Sequence, residues 1–256
     1  MLTEAYLDVY LINLDRSADR LAAMERSFVD RQRFERVPAT DGRAVPQLSD
    51  LGYDRNQNRR DYGRLMTPGE IGCYHSHLSA AKAFLETDEQ YCVVLEDDAK
   101  VDHRLFELIE TLDHNLHRLP ENLNLLHLCR TPKPRMARSS GVEFPQINNK
   151  IVEAFRYPTV TTAFMYSRRG AETFIRDGSV IAKPVDQFFK DWLTRRGGGY
   201  VLTTPVVEFL DFQSDIGSGT ARRNLPFGEA FRYDMAAGRR DLLNDVAVWR
   251  RKVFSV

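Results

Sequence analysis

Three adjacent carboxylates at the end of an apolar run are the residues best suited to chemistry. Residues 91–95 read Y-C-V-V-L, the continuous hydrophobicity of a strand that is buried on both faces of a sheet. Glu96, Asp97 and Asp98 follow at once, and ligands of open α/β sheets bind at the carboxyl ends of such strands. Because three ionised neighbours repel one another, a divalent cation would stabilise them. The pattern favours a site for Mn²⁺ or Mg²⁺, which prefer carboxylate and phosphate oxygens.

A purely structural interpretation of the same acids stays open. Residues 101–119 are predicted to be helical with Asp102 as the N-cap, so the acids could simply lead the chain out of a strand and into a helix. The reaction that such a metal ion would support is open as well. Nucleotide-sugar chemistry, in which the metal ion neutralises a leaving diphosphate, and a phosphatase or nuclease would use the same carboxylate ligands.

The sequence lacks the common phosphate-binding and hydrolytic motifs. It contains neither a G-x-x-x-x-G-K-[ST] loop nor a G-x-G-x-x-G fingerprint, and it has no G-x-S-x-G elbow and no H-E-x-x-H pattern. His75 and His77 are two positions apart and therefore point to different sides of a helix. These absences argue against a P-loop enzyme, a serine hydrolase and a zinc protease.

Composition narrows the class of protein further. A chain of 256 residues that is 43% hydrophobic can bury the core of one large α/β domain. Its 36 basic and 36 acidic residues balance, so global charge gives no reason to expect a nucleic-acid partner. The three cysteines form no C-x-x-C pair, which predicts a reduced compartment. No apolar run approaches the roughly 18 residues that cross a bilayer, and no signal-peptide core is present, so we expect a cytoplasmic protein.

Strands and helices alternate along the chain and must position the acids. Strands are predicted over residues 6–12, 34–39, 91–95, 123–128, 157–167 and 200–209, and helices over 17–28, 67–85, 101–119, 168–177 and 184–193. Thr67, Pro68 and Glu70 predict a helix start with a capping box. Residues 51–65 are typical of a loop or short helix, and 130–149 of a long loop or floppy hairpin. Without a repeat or an obvious linker, one domain over 1–256 is expected.

Several blocks of this sequence, in order, resemble glycosyltransferase family 25, the family of bacterial lipooligosaccharide galactosyltransferases and collagen galactosyltransferases. The blocks are residues 10–20 (Y-L-I-N-L-D-R-S-x-x-R), 36–42 (R-V-P-A-T-D-G), 69–77 (G-E-I-G-C-Y-H-S-H), 94–98 (V-L-E-D-D), 161–164 (T-T-A-F), 167–172 (S-R-R-G-A-E), 184–186 (P-V-D) and 214–216 (S-D-I). The resemblance covers roughly residues 6–217 and leaves 218–256 as a C-terminal extension. It implies a GT-A-like fold, α/β with a Rossmann-type mixed, mostly parallel sheet flanked by helices.

The same resemblance implies a UDP-sugar donor and Mn²⁺, or Mg²⁺, bound by the acidic motif. Asp98 is the first candidate for direct metal contact, with Glu96 or Asp97 as the second contact or as the ligand of the ribose. Asp215 is implied as a further metal or diphosphate ligand, with Gln213 and His127 as weaker alternatives.

Further polar residues are implied to bind the donor. They are Asn13, Arg16, Arg20, Asp41, Ser76 and His77. A structural alternative stays open for most of them. Arg16 and Arg20 lie one helical turn apart and could form a solvated face, Asp41 suits an Asp-Gly turn without any ligand, and His77 could be a satisfied core residue.

Direct displacement at the anomeric carbon with inversion needs a base on the acceptor hydroxyl, and Asp186 is the candidate. A helix cap is the alternative for this residue. Arg130, Lys133, Arg135 and Arg138 could steer an anionic acceptor or simply be solvated. Residues 249–254 mix bulky apolar and basic side chains, so they could touch the inner face of a membrane or pack on the domain.

Together these features predict a transferase that moves a hexose, with galactose expected, to a bacterial lipooligosaccharide, lipopolysaccharide or related surface glycan, free or lipid-linked. A metal-dependent phosphoesterase and a catalytically silent carbohydrate-binding module are the rival interpretations.

Overall fold

The computed structural model of the chain describes residues 7–130, 136–209 and 225–254, and its centre is an eight-stranded sheet. The strands lie in the order β2-β1-β3-β8-β5-β9-β7-β6. Their bounds are β1 Asp8–Asn13, β2 Glu35–Pro38, β3 Tyr91–Glu96, β5 Leu125–His127, β6 Ala137–Phe144, β7 Asn149–Ala154, β8 Ala163–Ser167 and β9 Gly199–Leu202. Two short strands, β4 (Ala99–Lys100) and β10 (Glu208–Phe209), form a separate antiparallel pair.

The sheet is mixed, and most of its strands share one direction. β1 pairs in parallel with β2 and β3, and β5 pairs in parallel with β9. β8 is antiparallel to β3 and β5, and β7 is antiparallel to β6 and β9. Only β7 and β8 of this sheet therefore run against the other strands, which confirms the predicted Rossmann-type mixed, mostly parallel α/β sheet.

Helices cover both faces of the sheet. They are α1 Ala18–Phe28, α2 Arg55–Asp61, α3 Pro68–Leu85, α4 His103–Asp113, α5 Arg168–Gly178, α6 Val185–Arg196 and α7 Phe227–Phe254. In β3, Cys92 and Val94 join the apolar cluster beneath α3, α5 and α6, whereas Val93 and Leu95 join the cluster beneath α1 and α4. The strand that carries the acids is thus buried on both faces, as its sequence predicts.

The start of α3 follows the predicted capping box. The Thr67 hydroxyl accepts from the Glu70 N–H at 3.2 Å, and the Glu70 carboxylate accepts from the Thr67 N–H at 2.8 Å. One turn further on, a Cβ at Gly72 would overlap the carbonyl oxygen of Thr40. Glycine at this position lets α3 lie directly against the loop that follows β2.

The predicted ends of some helices and strands were wrong. The helix predicted over 101–119 ends at Asp113 and is followed by a short 3₁₀ turn, and the strand predicted over 157–167 begins only at Ala163. Residues 137–154 form the β6–β7 hairpin, which confirms the hairpin alternative for the described part of residues 130–149. The strand β7 was not predicted, because Lys150 and Glu153 interrupt its apolar pattern.

The C-terminal extension was assigned no element by its sequence, yet residues 227–254 form the longest helix of the described residues. This helix, α7, packs against α6. No described helix combines the length and the apolar character that a bilayer crossing requires.

Candidate active site

A cleft opens at the carboxyl ends of β1, β2 and β3, beside the first half of α3. It is lined by residues that follow these strands and by one face of the helix: Ile12, Leu14, Arg16, Arg20, Ala39, Thr40, Asp41, Gly42, Arg43, Gly69, Cys73, Ser76, His77, Glu96, Asp97 and Asp98. The register places the end of β1 beside the end of β3, with Ile12 opposite Glu96. The topology therefore brings together four of the sequence blocks that suggested a ligand site.

Asp97 is held by the end of β1 and by α1. Its Oδ2 accepts from Asn13 Nδ2 at 2.7 Å and its Oδ1 accepts from Arg20 Nη1 at 3.1 Å. Asn13 is itself fixed, because its Oδ1 accepts from Arg36 Nε at 2.9 Å. Both oxygens of Asp97 are engaged by the protein, so Asp97 links the acidic motif to the end of β1 and to α1. Its contact with a metal ion or with the ribose stays a prediction.

Arg16 and Asp41 form an ion pair across the mouth of the cleft, between the end of β1 and the loop after β2. Asp41 also accepts from the backbone N–H of Arg43 at 3.1 Å. Arg16 and Arg20 thus each form an ion pair with an acid that lines the cleft. They are therefore not a merely solvated helical face.

Glu96 is bound by two donors on different elements. His77 Nε2 lies 2.9 Å from Glu96 Oε1, and the Thr161 hydroxyl donates to the same oxygen at 2.5 Å. Burial alone would raise the pKa of Glu96, but these hydrogen bonds offset it and lower the pKa below its ordinary value. An ionised carboxylate only accepts, so His77 Nε2 carries the hydrogen. The His77 ring is fully buried, 5.4 Å from the ring of Phe164.

The surroundings of Asp98 shift its pKa in the opposite direction. Burial, together with repulsion from Glu96 and Asp97, raises its pKa to about 7. Its Oδ1 is buried and finds no hydrogen-bond partner in the described part of the chain. An orphaned carboxylate oxygen among like charges is an atom that a bound cation would satisfy, so the residues present fit the divalent metal that the sequence predicts.

Cys73 contributes a sulfur atom to the same cleft. Its Sγ, a ring nitrogen of His77 and a carboxylate oxygen of Glu96 lie within 4.8 Å of one another. Burial and the negative charges of Glu96 and Asp186 hold the pKa of the thiol well above its ordinary value. A thiol that keeps its proton is a poor metal ligand, and Mn²⁺ and Mg²⁺ prefer oxygen.

Ser76 ties α3 to the loop after β2. Its hydroxyl accepts from the Thr40 N–H at 2.8 Å and donates to the Gly72 carbonyl at 2.8 Å. The Thr40 hydroxyl lies 2.8 Å from His75 Nδ1. Ser76 lines the cleft as expected, and its observed hydrogen bonds fix the cleft wall.

Asp186 lies in the first turn of α6 and is not the cap of that helix, because the N-cap is Pro184. Its Oδ1 accepts from the Gln187 N–H at 2.6 Å. Burial raises the pKa of Asp186, and the charges of Glu70 and Glu96 add to the rise. Asp186 is absent from the described residues that line the cleft, although it is close enough to Glu96 for their charges to interact.

The remaining candidates lie apart from the cleft or outside the described residues. Asp215, Gln213, Lys133 and Arg135 fall outside. His127 is buried, with Nε2 3.1 Å from the Val160 carbonyl and Nδ1 3.3 Å from the Cys129 N–H, so both ring nitrogens are engaged by the protein.

The basic residues predicted to steer an acceptor have other surroundings. Arg138 pairs with the buried Glu153 at 2.8 Å in the β6–β7 hairpin, at the opposite edge of the sheet from β2. Arg130 lies over the ring of Phe209, 4.7 Å from its centre. Arg138 therefore does not line the cleft, and its contact with an acceptor stays a prediction.

Thr161 and Arg43 are polar residues of the site that were given no role from the sequence. Thr161 holds Glu96, and Arg43 lines the cleft beside Asp41. The signal for Thr161 was a polar Thr-Thr pair directly before the apolar strand β8. The signal for Arg43 was its place beside the Asp-Gly turn.

The sheet and the cleft define an α/β protein with a candidate ligand site at the carboxyl ends of its parallel strands. The sequence model of glycosyltransferase family 25 (LPS biosynthesis protein) matches residues 6–189, and the chain belongs to this family. The matched range contains every residue that lines the cleft, and it ends before α7.

Individual relatives are also similar to this chain. Procollagen galactosyltransferase 1-A of Xenopus laevis is 29% identical over 187 residues, 71% of this chain and 30% of that protein. Procollagen galactosyltransferase 2 of Homo sapiens is 27% identical over 213 residues, 80% of this chain and 32% of that protein. The probable inactive glycosyltransferase 25 family member 3 of Rattus norvegicus is 27% identical over 187 residues, 71% of this chain and 32% of that protein. The chain spans about a third of the length of these relatives.

Proposed function

We propose that this protein is a metal-dependent glycosyltransferase that moves a hexose, with galactose as the first candidate, from a UDP-sugar to a hydroxyl of a glycan acceptor. The observation that carries the proposal is the orphaned, buried carboxylate oxygen of Asp98, in a cleft that also holds Arg16 and Arg20. Family membership and the names of two relatives as galactosyltransferases support the reaction class and the sugar.

The metal ligand in this proposal is Asp98, with Glu96 beside it and Asp215 as a third acid. When bound, Mn²⁺ or Mg²⁺ supplies positive charge that stabilises the leaving diphosphate. Asp97 acts differently, because its two oxygens are held by Asn13 and Arg20. It keeps α1 against the end of β3 and thereby fixes the position of Arg20 in the cleft.

The donor is proposed to lie along the loops after β1 and β2. The Arg16–Asp41 pair spans these loops, and its guanidinium can exchange the carboxylate of Asp41 for a phosphate oxygen of the donor. Ser76 and His77 support this wall from α3: Ser76 holds the Thr40 backbone and His77 holds Glu96.

Asp186 is the proposed general base. It accepts the proton of the acceptor hydroxyl as that oxygen attacks the anomeric carbon, and UDP leaves from the opposite face with inversion. A raised pKa supports the assignment, because it makes the carboxylate a stronger proton acceptor.

The acceptor is proposed to be a lipooligosaccharide, lipopolysaccharide or related surface glycan. The family's description as an LPS biosynthesis protein supports this class, whereas the relatives are named for procollagen. Both classes of acceptor therefore belong in the test.

The test is incubation of the purified chain with Mn²⁺ and a panel of UDP-sugars, with and without core oligosaccharide or a procollagen peptide, followed by mass spectrometry. We expect slow hydrolysis of one UDP-hexose alone and addition of one hexose to the oligosaccharide. Release of phosphate from phosphoesters without any sugar transfer would instead establish the phosphoesterase. Sugar binding without turnover of any donor would establish a silent binding module.

A further inference from the structure

The C-terminal helix α7 buries polar anchors beside Ala236 and Val248, and it exposes most of its large apolar residues. Arg240 and Asn244 are buried on the side that faces the body, at 7% and 0% exposure. On the other side, Leu242 and Trp249 are 64% and 59% exposed. A helix that packs on a domain normally shows the reverse arrangement, with its apolar stripe toward the core.

Buried polar contacts hold the inner face of α7 in place. Asn244 donates to Asp191 at 2.9 Å and accepts from Arg195 at 2.9 Å. Arg240 donates to the Asp61 carbonyl at 2.8 Å, and Arg251 pairs with the buried Glu153 at 2.7 Å. These contacts fix the rotation of the helix about its axis, so the apolar face cannot roll inward.

The outer face carries a continuous apolar stripe. Its exposed members recur at helical spacing along the length of α7: Phe227, Phe231, Met235, Leu242, Val246, Trp249 and Val253. A helix of 28 residues is about 42 Å long at 1.5 Å per residue. An apolar stripe of that length on a protein surface is typical of an interaction site.

The two flanks of the apolar stripe carry charges of opposite sign. On one flank, Asp241 and Asp245 are neutralised by ion pairs with Arg156 of the body, and Asp241 also lies 3.9 Å from Lys190. On the other flank, Arg239 and Arg250 are exposed and form no ion pair within the described residues. The uncompensated charge beside the apolar stripe is therefore positive.

We propose that α7 is an interfacial helix that docks this protein on an anionic lipid surface, with the stripe at the boundary between headgroups and acyl chains. Trp249, Phe231 and Leu242 supply the apolar contact, and Arg239 and Arg250 meet the lipid phosphates. The inference stands independently of the proposed reaction, since α7 lies outside the matched region and contributes no residue to the cleft.

A second copy of the chain is the less favoured occupant of the stripe. Antiparallel pairing of two α7 helices places like flanks together, so Arg239 and Arg250 of both copies would face one another. Like charges across an interface disfavour such a complex. An anionic bilayer matches the apolar stripe and its arginine flank at the same time.

The experiment measures partitioning of the full chain onto phosphatidylcholine vesicles with and without phosphatidylglycerol, by co-sedimentation and by tryptophan fluorescence. The chain has two tryptophans, and Trp192 is buried, so a blue shift on binding reports Trp249. We expect binding that requires phosphatidylglycerol and weakens with salt. Leu242→Glu should reduce partitioning by about tenfold or more, and the double change Arg239→Gln, Arg250→Gln by about tenfold.

Matched variants keep the test specific. Val29→Glu places the same charge at an apolar residue that is 60% exposed outside α7, and Arg59→Gln with Arg60→Gln removes two charges from α2; both should bind as the parent does. Equal circular-dichroism melts would show that the variants fold. The proposal is overturned if the parent does not bind anionic vesicles or if Leu242→Glu binds them as the parent does. It is also overturned if sedimentation equilibrium finds a dimer that Leu242→Glu dissociates.

Discussion

Three consecutive acids have three different physical states at this site. Glu96 is ionised and held by His77 and Thr161, whereas Asp97 is held by Asn13 and Arg20. Asp98 has a raised pKa and an oxygen without a partner in the described residues. Residues that are strained or unsatisfied in the free protein are commonly those that meet a ligand.

Asp98→Asn should stabilise the metal-free protein. The folded-state pKa of Asp98 is about 7 and its ordinary value is 3.8, so its contribution to the free energy of unfolding is complete below about pH 4 and is lost as the pH rises through 7. Asparagine has no charge to bury. With a chelator present, the gain should be about 4 kcal/mol at pH 8 and should nearly vanish near pH 4. Urea unfolding at both values checks this, and an equal or lower stability at pH 8 would contradict the assigned environment.

Asp186→Asn separates proton transfer from binding. A general base contributes about 10²- to 10⁴-fold in rate, and the asparagine oxygen can still accept from the Gln187 N–H. We expect kcat to fall by that factor, while the melting temperature and the affinity for UDP stay close to those of the parent. Near-normal turnover per folded molecule would remove Asp186 from the reaction and leave another acid as the base.

At the scale of elements, the cleft depends on how closely α3 meets the loop after β2. Gly72 and Ser76 create that contact, the first by the absence of a side chain and the second by two hydrogen bonds. The cleft wall and the helix are therefore fixed as one unit.

Gly72→Ala gives a test in which two effects have opposite signs. Alanine in place of glycine stabilises a helix by up to about 1 kcal/mol, but here the new Cβ would overlap the Thr40 carbonyl. We expect a net loss of about 1–3 kcal/mol and weaker binding of UDP. The matched control is Gly238→Ala on α7, where a Cβ meets no atom within 4 Å. That variant should be slightly more stable than the parent, and a stabilised Gly72→Ala would refute the close approach.

The amino-acid sequence predicted most of the helices and strands and the location of the cleft, because a strand buried on both faces and a capping box are local patterns. The separate roles of the acids were not predictable, since they depend on distant partners: Asn13 lies 84 positions from Asp97 and Thr161 lies 65 positions from Glu96. The orientation of α7 was hidden for the same reason. Arg240, Asn244 and Arg251 look like surface residues until Asp61, Asp191 and Glu153 are brought beside them.

At the scale of the whole molecule, a buried histidine makes stability depend on pH. His127 is fully buried between the sheet and the segment before β8, and burial lowers its pKa from 6.5 to about 4. The unfolded chain therefore binds a proton between these values that the folded chain does not, so stability is full above pH 6.5 and falls as the pH drops toward 4. The loss from this residue should be about 3 kcal/mol.

His127→Gln checks the origin of that loss. The glutamine amide can donate to the Val160 carbonyl but does not titrate. Its free energy of unfolding should be lower than that of the parent at pH 7.5 and should fall less steeply between pH 6.5 and 4. Parallel pH profiles for the parent and the variant would show that His127 does not control the acid sensitivity.

We propose that this cleft binds uridine diphosphate through a divalent cation held at Asp98. Isothermal titration of UDP into the parent, with Mn²⁺ and then with a chelator, tests it most directly, with Asp98→Asn measured under the same conditions. We predict binding that requires Mn²⁺ in the parent and no Mn²⁺-dependent binding in Asp98→Asn, which folds normally. Equal binding of UDP by parent and variant, or binding by the parent that is unaffected by the chelator, would show that no cation at Asp98 holds the diphosphate.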